Sequence, residues 1–149
     1  MQINTIKGIK NICDNGFTNN SAELLDPQHR IVEKQVVICR RFINTFLEPA
    51  TVFSRTNSYA WKHYVEKMSG EYISNGAFIM AAALEGIEIL DYDLNAVFKF
   101  KRTQPYRKLH TYVHKKQCLN INEMYNSTRY IIPDYWPYKT KEELLKVFQ

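Results

Sequence analysis

Seven lysines and arginines fall within residues 99–117, KFKRTQPYRKLHTYVHKKQ, interleaved with Phe100, Tyr106 and Tyr112. Ammonium and guanidinium groups attract phosphate, and aromatic faces offer unpaired bases a surface for stacking. No Asp or Glu occurs from 94 to 122, on a chain whose net charge is +5. A one-sign stretch on an otherwise mixed chain draws polyanions: nucleic acid, an acidic protein face or anionic lipid. The bland alternative is a solvated charged face whose tyrosines belong to the core. The residues expected to touch nucleic acid are Lys62, Lys67, Lys99, Lys101, Arg102, Tyr106, Arg107, Lys108, Tyr112, Lys115 and Lys116. Their contacts would go largely to phosphate and carry little sequence information.

Other constellations carry less. Asp91-Tyr92-Asp93-Leu94-Asn95 resembles the first half of a calcium loop, but Ala96 stands where that loop needs Gly and Arg102 where it needs a bidentate Glu. A hairpin turn is the better reading. His110 and His114 are four apart and could share a helical face, yet no third metal ligand accompanies them. Cys13, Cys39 and Cys118 form no CxxC pair, which points to reduced thiols rather than a disulfide framework or zinc site. There is no phosphate-cradling glycine loop, serine elbow or Cys–His arrangement. No catalytic residue, cofactor or metal is therefore expected.

The elements that must position these residues read as a single mainly α (α+β) domain over 26–149, after a poorly patterned N-terminal arm over 1–25. QINTI reads as one short strand, and DNGFTNNSAE as loop or mobile arm. Asp26-Pro27 signals a helix start, and apolar residues from Ile31 to Leu47 recur at three- and four-residue spacing, giving a helix over 27–48 stopped before Pro49. Asn57-Ser58 opens a second helix, 58–69, that Gly70 ends. Ser74 or Asn75 opens a third, 75–85, that Gly86 ends. Gly76 is anomalous, because Ala in that first turn would be roughly 0.5–1 kcal/mol better. It is either a tolerated residue or a point of close backbone approach.

IEIL, DYDLN and AVFKFK read as a hairpin over 87–101. Helix, helix, turn, helix, hairpin is the order of a winged helix-turn-helix, with the hairpin as wing. The third helix offers no Lys or Arg to base edges and looks built for burial. RTQPYRKLHTYVHKKQ fits a basic helix with Leu109, Tyr112 and Val113 on one side, or an extended segment. Residues 118–138 look irregular. Thr140 and Glu143 make a capping box for a C-terminal helix over 141–148. The DYWPY aromatics are either a contact surface or packing beneath that helix.

Three segments, SYAWKHYVE (58–66), YISNGAFIMAAALEG (72–86) and NAVF (95–98), resemble a pattern in small, mostly uncharacterised proteins of phages and integrative elements. The resemblance covers about 45 residues. It implies a mobile-element setting and carries no activity. The expected function is thus a small basic phage- or mobile-element-type protein binding nucleic acid. The alternative is a non-catalytic inhibitor or adaptor, such as an anti-defence protein, bound to an acidic host protein surface. No apolar run reaches a membrane span and no signal peptide is apparent, so no membrane partner and a cytoplasmic location are expected.

Overall fold

A computed structural model describes residues 11–116 and 121–149. In DNGF, expected as loop, Asp14-Asn15 turn the chain between two short antiparallel strands, β1 (Ile12–Cys13) and β2 (Gly16–Phe17). Ile12 and Phe17 are both in the core. Asn20 caps a short helix α1 (Ser21–Leu25) by accepting from Ala22 and Glu23 N–H. Residues 11–25 are therefore structured, and the QINTI strand lies outside the described residues. Asp26 caps as its type suggests, accepting from Gln28 N at 2.9 Å. It holds only one 3-10 turn, Pro27–His29. Arg30 to Val32 return to extended backbone, with Ile31 buried, and helix α2 runs Glu33–Phe46.

The far end of the expected 27–48 helix also differs. Leu47–Pro49 forms strand β3, whose antiparallel partner is a later strand, β6 (Phe100–Arg102). Helix α3 (Ser58–Ser69) is capped by Asn57, which accepts from Ala60 N, and ends at Gly70 in left-handed geometry (φ 77°). Helix α4 (Asn75–Leu84) is capped by Ser74 Oγ, which accepts from Ala77 N. A hairpin follows, β4 (Ile89–Tyr92) and β5 (Asn95–Phe98), turning at Asp93, itself at φ 54°. β6 continues from it. Helix α5 (Gln104–Lys115) starts with Pro105 in its first turn. Two short helices close the described chain: α6 (Ile121–Asn126) and α7 (Lys141–Lys146), the latter capped by Thr140.

Among the described residues, helices and three small two-stranded antiparallel ribbons thus share one core. Its centre is α4, buried from Asn75 through Ala82. α2 lays Val36, Cys39, Phe42, Ile43 and Phe46 inward against it. Rings continue the core in both directions. Trp61 stacks on Phe78 (6.4 Å between centroids, 5° between planes), and Phe46 stacks on Trp136 (5.7 Å, 22°). Of the DYWPY aromatics, Trp136 is buried and Tyr138 packs partly buried against the core, whereas Tyr135 is 38% exposed. A helix buried at every position but its last two, Ala83 and Leu84, cannot enter a groove of DNA. In this chain the third helix is structural.

The glycine at 76 has a steric cause. Gly76 N donates to the Asp14 carbonyl at 2.8 Å, and a Cβ there would lie 1.9 Å from the Cys13 carbonyl oxygen. Gly16 makes the reciprocal approach: at φ 120°, its Cβ would meet the Leu94 carbonyl oxygen at 2.0 Å. The β1–β2 turn, the start of α4 and the β4–β5 turn therefore meet backbone to backbone. Asn75 ties them, with Nδ2 near Asn15 O (2.9 Å), Leu94 O (3.3 Å) and Asn95 Oδ1 (2.9 Å).

Candidate nucleic-acid interface

α5 and the strand that feeds it position the basic segment. Thr103 N donates to the Phe46 carbonyl at 2.9 Å, so α5 leaves β6 from a point fixed to the end of α2. Tyr106 and Leu109 are buried, with His110, Tyr112 and Val113 partly so. Arg107, Lys108, Thr111, His114, Lys115 and Lys116 are exposed. With 3.6 residues per turn, residues 107, 108, 111 and 115 share the outer face. Among the described residues, no carboxylate lies within ion-pair distance of Arg107, Lys108, Lys115 or Lys116, in contrast to the pairs found elsewhere on the chain. Lys108 instead lies over the Tyr135 ring at 5.6 Å, and Lys116 over Tyr112 at 5.9 Å.

The remaining expected contact residues divide. Lys67 is exposed on α3. Lys101 is exposed on β6, 3.8 Å from Glu48. Lys99 is half-buried, paired with Glu88 at 3.0 Å and over the Phe53 ring at 5.0 Å. Arg102 lies over three rings, Trp61 (4.7 Å), Tyr64 (5.1 Å) and Tyr106 (5.4 Å). Tyr106 is 1% exposed and cannot stack on a base. Burial pushes its phenol up to about 12, against the opposing pull of Arg102. Tyr112 turns inward and donates its hydroxyl to the Ile131 carbonyl at 2.8 Å. Lys62 is 7% exposed and cannot reach a phosphate. Tyr106, Tyr112 and Lys62 thus leave the contact set.

A cleft opens where the 50–56 loop faces β6 and α5. It has a volume of 340 Å³ and is lined by Phe53, Arg55, Trp61, Lys101, Arg102 and Arg107, among others. Arg55 is the residue that sequence reasoning missed. It stands alone in FSRTN, outside the charge cluster, and only the fold brings it beside Arg102 and Arg107.

His110, beneath the basic face, is held neutral: burial, then Arg102 and His114, bring its imidazole down to about 4. Among the described residues no group of three or more His, Cys, Asp or Glu is placed to hold a metal ion. Cys13 and Cys39 are buried thiols, Cys39 pushed well above its usual range by burial, and Cys118 lies outside the described residues. No helix among the described residues is long and apolar enough to cross a membrane.

The residues that carry the phage-type resemblance have local structural work. Lys62 Nζ donates to the Ile73 carbonyl at 3.2 Å, and Ile73 N donates to Glu66 Oε2 at 3.2 Å. His63 Nδ1 lies 2.8 Å from Glu66 Oε1. Tyr59 and Tyr72 both face the Lys62 ammonium, at 5.1 and 5.2 Å. These contacts, with the Ser74 cap and the Asn75–Gly76 junction, set the corner between α3 and α4. Comparison of the chain with protein-family models, with curated proteins and with solved structures returns no match.

Proposed function

We propose that this chain is a non-catalytic nucleic-acid-binding protein that holds the phosphate backbone on the outer face of α5 and the adjoining edge of β6. One observation carries the reading: Arg107, Lys108 and Lys115 lie exposed on one face of a helix, with Lys116 exposed at its C-cap, all with no carboxylate partner among the described residues, beside exposed Lys101. Unpaired cations on a rigid helix give an electrostatic footprint that releases counterions from nucleic acid on binding. With Tyr106 and Tyr112 turned inward, base stacking contributes little, and recognition rests on phosphate spacing.

The order α2, α3, α4 and then the β4–β5 hairpin supports a winged-helix-like reading with that hairpin as wing and with α4 buried rather than reading bases. The resemblance to phage and integrative-element proteins is what supports reading the chain in a mobile-element setting inside a host cell. The test is a mobility-shift titration at several salt concentrations, with nuclease-treated protein. The logarithm of the binding constant should fall with the logarithm of salt by about 0.9 per phosphate contacted on duplex. Salt-insensitive binding would overturn the reading.

A second reading is favoured by a different observation. Tyr59, Tyr72, Tyr92 and Leu94 are exposed around two adjacent clefts that share Phe17, Thr18 and Leu94. Tyrosines of this kind anchor protein partners, as an inhibitor or adaptor acting on a host complex would require. A stoichiometric protein complex that survives nuclease treatment would favour it.

A further inference from the structure

The cleft beneath Arg55, Arg102 and Arg107 has a one-sign lining: its charged side chains are those three arginines and Lys101, with no carboxylate. Two of its lining residues also hold a buried donor with no acceptor among the described residues, Trp61 Nε1 and Arg102 Nε. Trp61 is 2% exposed, so its N–H cannot turn to bulk water. A native interior seldom leaves such a donor unmet. The nearby Ser54 hydroxyl is already used, donating to the Thr56 carbonyl at 2.8 Å and facing Phe98 N at 3.4 Å. What the lining lacks is acceptors that carry negative charge.

We infer that this cleft seats the phosphate of a nucleotide-sized ligand. A phosphate presents several acceptor oxygens to guanidinium forks and to an indole N–H at once, which a carboxylate does less completely. At 340 Å³ the cleft lies toward the small end of ligand pockets, roughly 300–1,000 Å³. That leaves room beyond the anion for a ring against Phe53 and Phe100. The inference rests on the nucleic-acid reading only in that Lys101 and Arg107 would serve both, and the seat is testable without a polymer.

The test is calorimetric titration of the full chain with adenosine 5′-monophosphate, adenosine and inorganic pyrophosphate. The nucleotide should bind and the nucleoside should not. Arg55→Ala/Arg107→Ala, which alters two exposed side chains, should weaken nucleotide binding by roughly tenfold or more. Lys34→Ala, exposed on α2 and outside the cleft, should leave it unchanged. Pyrophosphate binding as tightly as the nucleotide would support a phosphate seat in which the ring adds nothing. Failure of both phosphate compounds to bind, or wild-type affinity in the Arg55/Arg107 variant, overturns the inference. An oligonucleotide that binds when neither small ligand does removes the seat and leaves the surface reading standing. The reverse result removes the surface reading alone.

Discussion

Lys62 and Glu66, one helical turn apart on α3, hold the two ends of a single residue: the ammonium takes the Ile73 carbonyl and the carboxylate takes the Ile73 N–H, each at 3.2 Å. The ammonium is also 3.7 Å from Glu66 Oε1. The pair converts a chain reversal into a fixed corner. Lys62→Met should therefore destabilise the fold by about 1.5–3 kcal/mol, the range for hydrogen bonds to charged groups. Urea unfolding measures this. The same variant, where folded, should bind nucleic acid as the wild type does, because Lys62 does not reach the surface.

Gly76→Ala sets helix propensity against sterics. Propensity favours Ala by about 0.5–1 kcal/mol, but the added methyl would sit 1.9 Å from the Cys13 carbonyl oxygen, a backbone atom that cannot swing aside. The expected outcome is a net loss of about 1–3 kcal/mol, read as a lower thermal midpoint. Gly70→Ala is the contrast. Nothing lies within 4 Å of its Cβ, so it should cost only the left-handed backbone penalty, about 1–2 kcal/mol.

Removing the α5 charges should act on binding and spare stability. The combined variant Arg107→Ala/Lys108→Ala/Lys115→Ala/Lys116→Ala changes only exposed side chains. Its salt slope on duplex should shrink by about 0.9 for each lost phosphate contact. Its thermal midpoint should shift by no more than a few degrees, since each surface change of this kind falls within about 0.5 kcal/mol. A slope equal to wild type would place the binding face elsewhere.

Acid should weaken the fold through His110. Its folded-state pKa, about 4, lies below the ordinary 6.5. Between those values the unfolded chain binds a proton that the folded chain refuses. Stability is therefore full above pH 6.5 and is lost as pH falls toward 4. His110→Gln removes this titration, and chemical unfolding of both proteins across pH 4–7 should show a shallower acid decline in the variant.

Much of the architecture could be read from local chemistry. Asn57, Gly70 and Ser74 bound α3 and α4 at the positions their residue types suggest, and Pro105 marks the first turn of α5. What escaped were elements made by pairing at a distance. β3 is Leu-Glu-Pro, too short and proline-ended to read as a strand, and it exists because β6 lies beside it. Ile12 and Phe17 are too few to make a pattern, yet both are buried once Gly16 and Gly76 admit the hairpin.

The site divides in the same way. Tyr106 stands three residues before Leu109, so the period that put Leu109 inward also predicts the tyrosine inward; that signal was present in the sequence. Nothing local identifies Lys62 as interior, because its partners belong to a segment eleven residues on. Arg55 joins the cationic cleft only through the fold.

The enclosure of α4 bears on how the molecule is assembled. Its walls come from both sequence directions, with the 12–17 hairpin at one end and Ala96 and Phe98 from β5 along its side. A fragment lacking either wall would leave a nearly all-apolar rod wet. Folding should accordingly be all-or-none, and deletion through Phe17 should yield insoluble protein rather than a smaller working unit.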